Sequence, residues 1–126
     1  MRKYLFIFLT LSGLLGLANC QSPAESYQDL DSKEFAELSQ RKGYVLLDVR
    51  TPEEYKTGRI GEAVLLDYSS NDFEQKASLL DKDTHYLVYC RSGKRSAAAA
   101  HWLSQQGYQV SNLRGGILSW EGVLEK

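Results

Sequence analysis

Apolar and polar positions alternate along this chain between two kinds of segment. The mixed segment 108–111 reads as one strand, and short, nearly continuous apolar runs stand at residues 45–49, 63–66 and 86–89. Runs of this kind suit strands buried on both faces. Between them lie stretches with helical spacing. Residues 32–40 place Phe35 and Leu38 three apart, with Asp31 or Ser32 as the cap, and Gly43 breaks the pattern. Thr51 reads as an N-cap with Pro52 at the first helical position and Glu54 at the third, a capping box, and Gly58 ends that short helix. Residues 72–80 carry Phe73, Ala77 and Leu80 on one face. Residues 94–106 predict the longest helix, closed by Gly107. Residues 116–124 predict a last helix with Ile117, Trp120 and Leu124 on one face. Strand–helix alternation with short connections predicts an α/β fold, a parallel sheet with helices on both faces. Ligands of such sheets bind at the carboxyl ends of strands. Asp48-Val49-Arg50 and Cys90-Arg91 both fall at such ends, so they are expected to share one edge.

The first twenty residues follow another pattern. Arg2 and Lys3 precede an uncharged, mostly apolar stretch from Tyr4 to Leu17, followed by Ala18-Asn19-Cys20. This is the layout of an export signal, and the apolar part is short for a spanning helix. Its end resembles a bacterial lipobox, with Leu17 at −3, Ala18 at −2 and Cys20 as the lipidated residue. Asn19 departs from the Gly, Ala or Ser usual at −1. The expected organisation is a signal peptide at 1–19, a polar tether at 20–27 and one domain at 28–126. The expected location is the bacterial periplasm or cell envelope, with membrane attachment through a lipid on Cys20.

Cleavage changes the composition little and the cysteine count much. Of 15 basic and 16 acidic residues, removing 1–19 takes Arg2 and Lys3 and no acid, which leaves 13 basic against 16 acidic. A mildly acidic body gives no reason to expect nucleic acid as a partner. The chain holds two cysteines, Cys20 and Cys90. With Cys20 lipidated or removed, Cys90 is the single thiol and no internal disulfide forms, although disulfides are common in exported proteins.

Cys90 follows the apolar run 86–89 and precedes Arg91-Ser92-Gly93-Lys94-Arg95-Ser96 and four alanines. A helix N-terminus beside a thiol offers unpaired N–H groups and the positive end of the macrodipole, and both favour a thiolate. Lys94 and Arg95 sit in a first turn that ordinarily prefers acids, a local rule broken at one spot. Gly93 permits a tight turn, Ser92 and Ser96 offer hydroxyls or a cap, and Arg91, Lys94 and Arg95 supply positive potential for an anion. The alanines let the helix sit close on the sheet. The arrangement suits a nucleophilic thiolate that holds a charged covalent intermediate.

The chain from about 28 to 124 resembles a single-domain rhodanese. The matching pieces are Asp48-Val49-Arg50 with T-P-E-E-Y and Gly58, the loop C-R-S-G-K-R-S from Cys90, and R-G-G-I-L-S-W from Arg114. The resemblance implies a five-stranded parallel sheet, with the additional strand near Tyr27–Leu30. It also implies a Cys90 persulfide, a small anionic sulfur donor such as thiosulfate, and a cyanide or thiol acceptor, including a thioredoxin-like protein. Asp48 and Arg50 are then supporting residues, either through hydrogen bonds to the site or as a structural ion pair. Where the family often has G-H-I-P-G-A, this chain has Gly58-Arg59-Ile60-Gly61-Glu62-Ala63, which places the difference in a structural loop. Cysteine phosphatases of related fold use C-x5-R; here that position is Ser96, and the arginine comes one residue earlier, at Arg95. The shorter loop favours sulfur over phosphate. A non-catalytic persulfide carrier or redox-responsive binding module, and a phosphatase or arsenate reductase, are the competing readings. His85 and His101 show no ligand spacing, so no metal site is expected. No cofactor is expected either, and the protein is expected to be a monomer.

Overall fold

The computed structural model describes residues Tyr27–Lys126. The signal peptide expected at 1–19, the expected tether as far as Ser26, and Cys20 within it lie outside the described residues. Five strands form one parallel sheet in the order β1 (Gln28–Leu30), β5 (Gln109–Leu113), β4 (His85–Tyr89), β2 (Tyr44–Asp48) and β3 (Val64–Leu65). The helices are α1 (Ser32–Ser39), α2 (Pro52–Thr57), α3 (Phe73–Ala77) and α4 (Lys94–Gln105), with a 3₁₀ turn at Gly116–Ser119.

The continuous apolar run of β4 is explained by its central place. Tyr86 and Val88 point into a core with Phe73 and Ala77 of α3 and Ala99, Ala100 and Leu103 of α4. Leu87 and Tyr89 point the other way, into a core with Phe35 of α1. Both faces are covered, so no alternation survives. Ala99 and Ala100 are fully buried, which is what brings α4 close to the sheet. Asp31 caps α1, its carboxylate accepting from the Glu34 N–H at 2.8 Å.

Four expectations are corrected. The run 63–66 is not a fully buried strand: only Val64–Leu65 pair, at the sheet edge beside β2, and Val64 is half-exposed. The helix expected over 72–80 is shorter, Phe73–Ala77, because the chain tightens after it: the Leu79 and Leu80 N–H groups donate to the Lys76 and Ala77 carbonyls at 3.1 Å each, and Leu80 still packs against the same core. The capping box at Thr51 is half-formed. The Thr51 hydroxyl oxygen accepts from the Glu54 N–H at 3.3 Å, but the Glu54 carboxylate, which still lies 3.3 Å from the Thr51 hydroxyl, is held by Arg95 in place of the Thr51 N–H. The helix expected over 116–124 stops after one turn. Gly115 and Gly116 hold left-handed φ values of 78° and 65°, and Trp120 is extended. The Ser119 hydroxyl lies at 2.7 Å from the Arg114 carbonyl and 2.8 Å from that of Gly116, so a side chain occupies acceptors at the turn. The chain then runs back as a bridge, with Arg59 and Glu125 exchanging backbone bonds of 2.8 and 2.7 Å. Trp120 still reaches the core, edge-on to Phe35 at 6.2 Å.

Candidate active site

Val49 and Cys90 directly follow β2 and β4, which are adjacent in the sheet. The sequence expectation of one shared edge is therefore met. Cys90 has essentially no exposed surface. Its Sγ accepts a hydrogen bond from the Gly93 N–H at 3.1 Å, and the Ser96 hydroxyl lies 3.4 Å away. Gly93 is the N-cap of α4, at φ 98° and ψ −9°. That left-handed conformation turns the chain from strand to helix, and glycine adopts it without a Cβ penalty. No side chain caps α4, so its first N–H groups are left to the sulfur.

Two opposed effects act on the thiol. Burial pushes its pKa up. The Ser96 hydroxyl and the backbone N–H groups of Ser96, Gly93 and Ser92 favour the thiolate more strongly, and together they hold the pKa below the ordinary cysteine value. The loop is a nest in which backbone donors converge on one anion.

The motif from Arg114 to Trp120 holds this nest in place. The Ile117 N–H donates to the Cys90 carbonyl at 2.8 Å, and the Leu118 N–H donates to that of Arg91 at 3.2 Å. The approach is close. A Cβ on Gly116 would lie 2.6 Å from the Cys90 carbonyl oxygen and nearer still to that of Arg91. The spacing of Ile117 and Trp120 predicts a helix face for these residues. Their service as a backbone brace depends on two consecutive left-handed glycines, and the R-G-G doublet was the available signal.

The charged residues divide into three sets. Arg91 and Lys94 are exposed and form no ion pair with any described residue. Arg95 does not stand free beside the sulfur: its Nη1 and Nη2 donate to Glu54 Oε1 and Oε2 at 2.8 and 3.0 Å. That contact holds the Glu54 carboxyl below the usual carboxylate range, against a smaller opposing effect of burial. Its spacing from Thr51 predicts only a capping role for Glu54. A partner 41 residues away leaves no local signal. Asp48 and Arg50 form a buried pair, with Arg50 Nε at 2.9 Å from Oδ1 and Nη2 at 2.6 Å from Oδ2. The same Nη2 donates to the Gly58 carbonyl at 2.7 Å, and the guanidinium lies over the Tyr89 ring at 5.6 Å. Neither residue bonds to Cys90 among the described contacts. This geometry is that of the structural ion pair. The Gly58–Ala63 loop, where the chain departs from the family pattern, closes on the same brace: the Ile60 N–H donates to the Tyr89 hydroxyl at 3.0 Å.

Comparison with known proteins agrees with this geometry. The profile of the rhodanese-like domain matches residues 31–122. The chain is 39% identical over 94 residues to a sulfurtransferase of Allochromatium vinosum, covering 73% of this chain and 86% of that protein. It is 32% identical over 97 residues to the thiosulfate sulfurtransferase GlpE of Coxiella burnetii, covering 75% and 88%. The crystal structure of a rhodanese-related protein from Thermoplasma volcanium superposes with a TM-score of 0.71 at 33% identity, over 79% of this chain and 98% of that one. A parallel sheet carrying its cysteine loop at the carboxyl edge, and a profile match across nearly the whole described region, place this chain in the rhodanese-like domain family.

Proposed function

We propose that the protein is a sulfurtransferase that carries sulfur on Cys90. The carrying observation is the Cys90 Sγ at a strand end, held by the Gly93 N–H at 3.1 Å and the Ser96 hydroxyl at 3.4 Å. In the first half-reaction the thiolate attacks the outer sulfur of thiosulfate. A new S–S bond forms on Cys90, the sulfur–sulfonate bond breaks, and sulfite leaves with the bonding pair. In the second, cyanide or a thiolate attacks the outer sulfur of the persulfide, and the Cys90 thiolate is the leaving group. The loop N–H groups favour the anion at both stages. Arg91 and Lys94 are the exposed cations an anionic donor meets. The sulfur is covered at rest, so the donor's approach requires displacement of the loop.

The same site fits a phosphate ester poorly. The one arginine near the position a phosphatase needs is already held by a carboxylate. The N-terminal layout supports an exported form anchored through Cys20, which metabolic labelling with a fatty acid tests against Cys20→Ala.

Thiosulfate with cyanide should yield thiocyanate with ping-pong kinetics. Intact mass after thiosulfate alone should show one added sulfur, absent in Cys90→Ser. Absence of transfer from every sulfur donor tried, with the thiol reduced, overturns the enzymatic reading. A stable persulfide that no acceptor discharges would point instead to a carrier.

A further inference from the structure

Glu54 lies in the first turn of α2 and Arg95 in the first turn of α4. Both carboxylate oxygens meet both terminal guanidinium nitrogens, a two-point contact that fixes orientation as well as distance. The carboxylate is steadied from its own helix too: the Thr51 hydroxyl lies 3.3 Å from Oε1. Arg95 immediately precedes Ser96 and follows Gly93 by two residues. Those two residues supply the hydroxyl and the N–H that reach the Cys90 sulfur. The clamp therefore grips the turn that aims both donors.

We propose that Glu54 is a positioning residue of the Cys90 site, one that braces the first turn of α4 through Arg95 and keeps that cation off the anion entering the loop. The proposal rests on the reading of Cys90 as the reacting group. It separates two tasks that the sequence merges in one basic loop. Arg91 and Lys94 attract the anion, while Arg95, neutralised by Glu54, holds the cradle. A free guanidinium one residue from Ser96 would compete with the loop N–H groups for the anion. Glu54 prevents that competition.

A simple staple between two helices would show the same contact, so the test must separate charge from bracing. The charged groups around the sulfur are Arg95 and Glu54, Arg91 and Lys94 on the loop, and the Asp48–Arg50 pair at the end of β2. The thiol midpoint is read from the pH dependence of alkylation by iodoacetamide, which requires no sulfur transfer. Glu54→Gln keeps a hydrogen bond to Arg95 and leaves its charge uncompensated, so the midpoint falls by about half a pH unit. Arg95→Gln leaves the carboxylate uncompensated, and the midpoint rises by about as much. The double variant returns close to wild type. A staple alone predicts a rise in both single variants, because either change loosens the donors on the sulfur. Two rises, or no movement in either, overturn the proposal. If Glu54→Gln fails to fold, Glu54→Asp weakens the contact and moves the midpoint the same way by less. With thiosulfate, Glu54→Gln should lower KM about two- to threefold as the freed cation joins Arg91 and Lys94. If no donor transfers sulfur to any variant, the enzymatic reading fails while the alkylation midpoints still decide the role of Glu54.

Discussion

Asp48 with Arg50 and Glu54 with Arg95 use the same two functional groups, and both stand at the end of the sheet that carries Cys90. The side chains of the first pair are 0% and 5% exposed, those of the second 30% and 29%. The buried pair has every strong contact directed at scaffold: each other, the Gly58 carbonyl and the Tyr89 ring. The half-exposed pair joins two helices where one of them begins the cysteine loop. A charge removed from water needs its partner to exist there at all. A charge at the rim keeps its solvation, and its partner adjusts position and local potential. The comparison predicts large stability effects with little chemistry from the first pair, and the reverse from the second.

The largest expected effect tests the first half of that statement. Asp48→Asn leaves the Arg50 guanidinium buried without its counter-charge, which should remove about 3–5 kcal/mol of unfolding free energy. Urea denaturation of the two proteins measures it. A loss below about 1 kcal/mol would mean that Arg50 is hydrated in solution and that the two pairs are not different in kind. Joint replacement by Asp48→Leu and Arg50→Met should recover most of the loss, since a buried pair exchanged for apolar groups is often near neutral.

An intermediate effect asks whether Glu54 and Arg95 are the main brace of the loop. The 3₁₀ turn reaches the loop from the other side, where the Ile117 and Leu118 N–H groups meet the Cys90 and Arg91 carbonyls. Gly116→Ala puts a methyl group against both carbonyls at a φ of 65°. It should cost about 1–3 kcal/mol and weaken sulfur transfer by displacing the loop. Loss of sulfur transfer in Gly116→Ala without a matching loss in Glu54→Gln would place the bracing in the backbone contact and the charge compensation in the side-chain pair.

These contrasts show which parts of the molecule were legible in the sequence. The order of strands and helices was, because both faces of β2 and β4 are covered and the apolar runs mark them. The cysteine loop was, because a thiol, a glycine and broken charge preference coincide within seven residues. The three-residue β1 carries no pattern of its own, with Gln28 and Asp29 exposed and only Leu30 buried, and it came from the family resemblance. The last helix was misread because Ile117 and Trp120 keep helical spacing while the preceding glycines and Ser119 bend the backbone out of it. The roles of the arginines were the least legible. Arg50 finds its carboxylate two residues away and Arg95 finds one 41 residues away, and only folding distinguishes a cation that waits for an anion from one already matched.

The smallest expected effect refines the second half of the comparison. Glu54→Gln should cost no more than about 1 kcal/mol at neutral pH, the range of partly exposed ion pairs. Its pH dependence carries more information than its size. The Glu54 carboxyl is held below its ordinary value by the hydrogen bond and charge of Arg95. A carboxyl depressed in the folded state stabilises the protein above its unfolded pKa, and the contribution disappears as pH falls through the folded value. Wild type should therefore lose stability more steeply than Glu54→Gln as pH falls below about 4.5, and the two curves should run parallel above it. Every other carboxylate titrates in both proteins, so the difference between the curves isolates this one group. Curves that stay parallel through acid would mean that Arg95 does not hold Glu54 in solution. The distinction between the two pairs would then reduce to one buried brace and one surface contact without consequence.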